Sequence, residues 1–229
     1  MLYKPLLADQ LSGSIGGIVA SHNAGGTYLR VRSIPVHPGT PFQETITAAV
    51  ADLTVRWNDN LTQLQRDAWD VYGDGVPLLN RIGATIAQKG LPAYVRSNVS
   101  RIQAALPRVD DAPTTFNLGA FTEPVIVSVT AATDILSLAF TDTDDWVDET
   151  DSAALVYISR PKNPSINFHK SPYRFAGQIL GDDTTPPTSP AAIALPFPAA
   201  VGNRIFIRFI VTRADGRLSA DFRNNDVVV

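Results

Sequence analysis

Between residues 124 and 228, apolar residues recur at every second position within a series of short runs, and no other feature narrows the possible folds as much. Leu136, Leu138 and Phe140 alternate with Ser137 and Ala139. Ile205, Ile207, Phe209 and Val211 alternate with Phe206, Arg208, Ile210 and Thr212. A period of two sends successive side chains to opposite faces of a strand. The pattern predicts strands near 124–130, 134–141, 153–159, 172–181, 191–198, 203–213 and 217–228, with separators rich in Pro, Gly, Asp and Thr. Ala214-Asp215-Gly216-Arg217 suits a hairpin turn between the last two. Seven short strands in about 115 residues is the count of an immunoglobulin-like or fibronectin-III-like sandwich. The chain has no cysteine, so the disulfide-centred core of an antibody-type domain is excluded.

The first half follows other periods. Residues 12–36 predict a hairpin arm: Gly16-Gly17-Ile18-Val19-Ala20 leads through His22-Asn23-Ala24-Gly25-Gly26 into Thr27–Ile34. Tyr28, Arg30 and Arg32 would share one face and Leu29 and Val31 the other, with Pro35 and Pro38 ending the strand. A helix is expected from Thr40-Pro41, with Phe42, Ile46, Ala49, Val50, Leu53 and Trp57 as its apolar face. A second is expected over about 61–72, where Thr62 and Gln65 form a capping-box pair and Leu61, Leu64, Ala68 and Tyr72 a stripe. A third is expected from Pro92, with Val95, Val99, Ile102 and Leu106 as its stripe. Residues 76–90 read ambiguously. The polar, proline-bracketed stretch 107–113 is the best linker candidate. The expected fold class is therefore α+β: a β-hairpin arm and short helices over 1–112, then an all-β immunoglobulin-like sandwich over 113–229.

Composition removes several kinds of chemistry. Without cysteine there is no thiol catalysis, no iron–sulfur cluster and no Cys-ligated zinc. Charged residues make up 18% of the chain, against about 25% in an ordinary soluble domain. That deficit points to a β-rich fold or to surface covered by partners. The net charge is −3, and neither half carries a basic run, so no direct nucleic-acid binding is expected. No segment reaches the roughly 20 apolar residues of a spanning helix. Met1–Gln10 lacks the apolar core of a signal peptide. Synthesis in the cytoplasm without membrane insertion is the expectation.

No catalytic constellation stands out. His22, His37 and His169 are far apart in sequence, and there is no Gly-x-Ser-x-Gly elbow. Ser12–Gly17 matches neither the P-loop nor the dinucleotide fingerprint. An enzyme is not expected, and no cofactor or metal is implied. One stretch invites a ligand reading: Asp142, Asp144, Asp145, Asp148, Glu149 and Asp151 place six carboxylates in ten residues around Trp146. Such a loop can hold Ca²⁺, although Trp146 takes the third ligand position of an EF-hand and no glycine takes the sixth. The alternative is a solvated loop with Trp146 tucked onto the sandwich. Trp146 is also the one tryptophan placed to act as a platform for a sugar ring.

The ordered set Gly16-Gly17, Asn23…Gly25-Gly26, Arg30, Arg32, Pro35…Pro38…Thr40…Gln43, Trp57 and Leu61-Thr62…Gln65…Ala68-Trp69 resembles poorly characterised structural proteins of tailed bacteriophages and prophages. In those relatives a glycine-rich hairpin precedes a P-x-x-P-x-T-x-x-Q turn and a W…L-T-x-x-Q-x-x-A-W helix pair. The likeness covers roughly residues 12–72 and rests on structural motifs. It implies a non-enzymatic virion protein (capsid decoration, neck or tail) that assembles with other virion proteins and copies of itself. The assembly contacts would fall on Gly16, Gly17, Gly25, Gly26, Tyr28, Arg30 and Arg32. Its location would be the virion, after synthesis in the host cytoplasm. The alternative function is a glycan- or surface-binding sandwich using Trp146 and the acidic loop.

Overall fold

In the computed structural model, the described residues are 12–23, 26–34, 36, 39–79, 85–119, 121–168 and 172–229. Three helices and several antiparallel sheets make the protein α+β. Its contacts group into two compact units that part between Pro41 and Phe42, whereas the sequence suggested a boundary at 112/113.

The first unit holds three strands, not the two of a hairpin: β1 (Gly13–Ile15), β2 (Ile18–Asn23) and β3 (Gly26–Val31), in the order β1-β2-β3. Gly16 and Gly17 form the two-residue turn between β1 and β2, where Ile15 lies opposite Ile18. Gly16 has φ +58°, a backbone state that glycine enters without steric cost and that the first central position of a type II′ turn requires. Arg32 lies just beyond β3, yet its N–H still donates to Gly17 O at 2.8 Å.

The second unit begins with α1 (Pro41–Asp59), α2 (Gln63–Gly75) and α3 (Gly90–Gln103), with short strands β4 (Leu78–Leu79) and β5 (Thr85–Ile86) between the last two. The Thr62–Gln65 capping box forms as expected. The buried stripes differ from the expected ones. Leu61 and Tyr72 are buried as expected, but Leu64 is 80% exposed and Ala68 is exposed too, and Trp69 and Gly73 complete the buried side of α2. Gly73 lies against the Gln88 carbonyl so closely that a Cβ there would clash. On α3 the most buried residues are Gly90, Ala93, Tyr94, Ser97, Asn98 and Arg101, while Val95, Val99 and Ile102 are only partly buried. A helix covered on several sides has no single apolar face to display, which is why a mixed polar stripe lies deepest. Leu53, Leu61, Trp69, Tyr72 and Tyr94 form the core of this layer, with Tyr94 edge-on to Trp69 at 5.4 Å between ring centres.

The stretch 107–113 is a strap held across the helices. Asn98 donates to Val109 O at 2.9 Å and accepts from Val109 N at 2.7 Å; Trp69 Nε1 donates to Asp110 O at 2.8 Å. Arg56 Nε donates to the Asp110 carboxylate at 2.7 Å, Arg56 also pairs through its second nitrogen, and the Tyr94 hydroxyl adds a bond at 3.2 Å. Prolines at the ends suggest a linker, but these bonds tie every turn of it down. The hydrogen bonds from Arg56 hold the Asp110 carboxyl below its usual range, and burial lifts the Tyr94 hydroxyl to about 12. A depressed carboxylate adds stability that is present above the unfolded-state value near ~3.9 and is lost as pH falls through the folded-state value. Asp110→Asn is therefore expected to cost about 1–3 kcal/mol at neutral pH. The gap in melting temperature between the variant and the parent should close below about pH 4. A gap independent of pH would assign the loss to packing alone.

The seven expected strands all form: β6 (Val125–Thr130), β7 (Ile135–Ala139), β8 (Ala153–Ser159), β9 (Tyr173–Leu180), β10 (Ala191–Ala194), β11 (Arg204–Thr212) and β12 (Phe222–Val227). They make a three-stranded sheet, β10-β7-β6, and a four-stranded sheet, β12-β11-β8-β9, all antiparallel. Both sheets feed one core. Val129, Leu136, Leu138 and Ile193 come from the first; Ala154, Val156, Ile158, Ile205, Ile207, Phe209 and Val211 come from the second. The other face of β8 is covered too, with Ala153 and Leu155 packed against Ala104 and Leu106 just after α3. Thus the helical layer and the four-stranded sheet share a buried seam.

Candidate functional site

On the three-stranded sheet of the first unit, pairing decides which side chains share a face. Ile18 lies opposite both Ile15 and Val31, and Ala20 lies opposite Leu29. Directly opposed residues project to the same side, so Ile15, Ile18, Val31, Ala20 and Leu29 make one apolar face. Ser14, Val19, Ser21, Tyr28 and Arg30 make the other. Near the Gly16–Gly17 turn this face meets water, with Ile15 74%, Ile18 49% and Val31 80% exposed, whereas Ala20 is buried and Leu29 half-buried. Ile34 and Val36, beyond β3, are exposed as well. Burying side chains of this kind is worth about 1.5–3 kcal/mol each, and contiguous exposed apolar surface marks an interaction site.

Of the expected contact residues, Gly16 and Gly17 are the turn, and Gly26 pairs with Asn23 through the backbone. Gly25 lies outside the described residues. Tyr28 and Arg30 share a face as expected, with Arg30 exposed and Tyr28 half-buried; Arg32 is exposed beyond the strand end. The exposed apolar row lies on the face opposite Tyr28 and Arg30. Ile15 and Ile18 flank the glycine turn, and only the strand register shows that they join Val31.

The second unit also shows apolar surface. Phe42 and Val50 on α1 are exposed, and that helix buries only Ala49 and Leu53. The expected six-residue apolar face of α1 is thus anchored near its C-terminal end alone.

The acidic loop is structural. Trp146 is 1% exposed, packed between Phe140 at 5.2 Å and Phe209 at 6.3 Å between ring centres. This overturns the sugar-platform reading: the indole is part of the core that both sheets share. Asp144 is buried and accepts from Thr122 N and Thr122 Oγ1, both at 2.9 Å. Glu149 pairs with Arg213, which also lies 3.7 Å from Asp145 and donates to Leu118 O. Asp142 and Asp148 are exposed. The carboxylates therefore turn toward different partners, and among the described residues no cluster of three or more His, Asp or Glu could hold a metal ion. His37 and His169 lie outside the described residues.

A groove of about 320 Å³ runs between the end of α2 and the approach to β12, lined by Phe116, Leu118, Phe121, Glu123, Leu218 and Phe222. Asp221 on its rim is neutralised by Arg208 and Arg223. No helix among the described residues is long and apolar enough to cross a membrane. No protein-family model, no curated protein and no solved structure matches the chain.

Proposed function

We propose that the protein is a non-enzymatic structural subunit of a tailed-bacteriophage particle, acting by assembly with other virion proteins and with copies of itself. The observation that carries this reading is the water-facing row Ile15–Ile18–Val31 on a small three-stranded sheet. Large apolar side chains left in water forgo the stabilisation that burial brings, and packing this row against a neighbour would supply it. The resemblance of residues 12–72 to phage structural proteins supports the same setting. We further propose that residues 113–229 form a fibronectin-III-like sandwich, the outward module of the subunit. Support comes from the split of seven strands into three and four, with the fourth strand, β9, on the larger sheet beside the third.

Deleting residues 1–36 is expected to leave the second unit folded, with unchanged melting temperature, and to abolish incorporation into particles measured by gradient co-sedimentation. Ile18→Asp with Val31→Asp should reproduce the loss, since two carboxylates on the row make its burial costly. Wild-type incorporation of either variant would rule the reading out.

A further inference from the structure

The four-stranded sheet carries a second feature, independent of the assembly reading. Because Ile205, Ile207 and Phe209 enter the core, alternation sends Arg204, Phe206 and Arg208 to the outer face. Phe206 is in register with Asn225, and Arg208 with both Arg223 and Tyr157. On this side of the molecule lies a pocket of about 180 Å³ lined by Asn167, Phe168, Tyr173, Phe206, Arg223 and Asn225. Phe206 is buried, while Phe168 is 72% exposed at the mouth. At ~30 Å³ per water the volume equals about six waters, enough for one sugar ring and too small for a drug-sized ligand.

Charge singles out this end of the sheet. The chain from 152 to 181 contains no Asp or Glu, and its described cations are Arg160, Lys162 and Arg174. Around the pocket, Arg208 and Arg223 share one carboxylate, Asp221, at 2.8 and 3.2 Å, and Arg204 adds a third guanidinium on the same strand face. Three cations against one anion leave a local positive surplus within a chain of net charge −3. Carboxamides both donate and accept, as sugar hydroxyls do, and aromatic rings offer apolar faces to the C–H side of a pyranose. Guanidinium suits a carboxylate.

We infer that this pocket is a binding site for an acidic saccharide unit, a uronic or sialic acid residue of a glycan. Phe168 and Tyr173 supply the stacking faces, Asn167 and Asn225 bond the hydroxyls, and Arg223 engages the carboxylate. One guanidinium, Arg223, lines the pocket among aromatic and carboxamide groups, a lining that suits a single acidic sugar unit rather than a phosphate backbone, so a glycan is favoured over a nucleic acid.

The test presents the full-length chain to an array of uronate- and sialate-terminated oligosaccharides beside their neutral counterparts, with a dT10 oligonucleotide measured in parallel by fluorescence anisotropy. Binding to acidic members is expected, weakened at least about tenfold by Phe168→Ala and by Arg223→Gln, with Arg223→Lys intermediate. Both side chains are exposed, and circular dichroism and melting temperature check that the variants fold. Silence of all acidic glycans overturns the site, as does equal binding of neutral glycans or indifference to the variants. Tighter binding of dT10 than of any glycan overturns it in favour of nucleic acid. Particle incorporation should be unchanged in these variants, so this failure is separate from failure of the assembly reading.

Discussion

Trp146→Ala is expected to lower the stability of the second unit by about 3–5 kcal/mol, the range for deleting a large aromatic from a core. In a unit of this size that corresponds to a fall in melting temperature of roughly 10 °C. The indole fills the space between Phe140 and Phe209, whereas the bond from Ser152 Oγ goes to the backbone carbonyl of residue 146 and survives the substitution. Gly181 sits so close to Trp146 O and Ser152 Oγ that a Cβ there would clash with both, and this region cannot simply collapse into the cavity. Trp146→Phe should cost far less, because most of the ring volume stays and the buried indole N–H meets no protein acceptor. Urea unfolding of the two variants makes the comparison. A loss below about 1 kcal/mol for the alanine variant would contradict the core placement.

Arg101→Met should be as severe for a different reason. Arg101 is 2% exposed. Its guanidinium donates to Pro107 O at 2.7 Å, Asp151 O at 3.0 Å and Arg213 O at 2.6 Å. One side chain thus ties α3 to the strap, to the end of the acidic loop and to the end of β11. Burial disfavours its charged form, and the three carbonyls compensate. Methionine keeps the stem but strands three buried acceptors, for an expected cost of about 3–5 kcal/mol. Amide exchange should rise first at residues 107–110, 149–152 and 213–217. A uniform rise across the unit would instead mean that the residue acts only through global stability.

Much of the body was legible because local pattern and tertiary role coincide there. The seven strands announce themselves through a period of two, since each has one face in a common core. The capping box at Thr62 needs only residues within one turn of it. Where local pattern and tertiary role diverge, the sequence misled. Leu64 reads as part of an apolar stripe on α2, yet Trp69 and Tyr72 set the buried direction and leave it in water. The prolines around 107–113 read as a linker, although Asn98, Trp69 and Arg56, all distant in sequence, pin that stretch in place. Six carboxylates in ten residues left an ion loop and a loop with Trp146 tucked inward both open; Trp146 is buried, Asp144 is committed to Thr122 and Glu149 to Arg213.

The sequence by itself determined the α+β class and the seven strands of the second half, because these depend on spacing within a few residues. It also ruled out thiol and Cys-ligated metal chemistry. Only the tertiary structure decided what faces water: that Trp146 is core, that α3 buries a polar stripe, and that Ile15, Ile18 and Val31 form one exposed row. It likewise gathered Asn167, Phe168, Arg223 and Asn225 from separate segments into one pocket. Burial and register join residues far apart in the chain, and no local period encodes them.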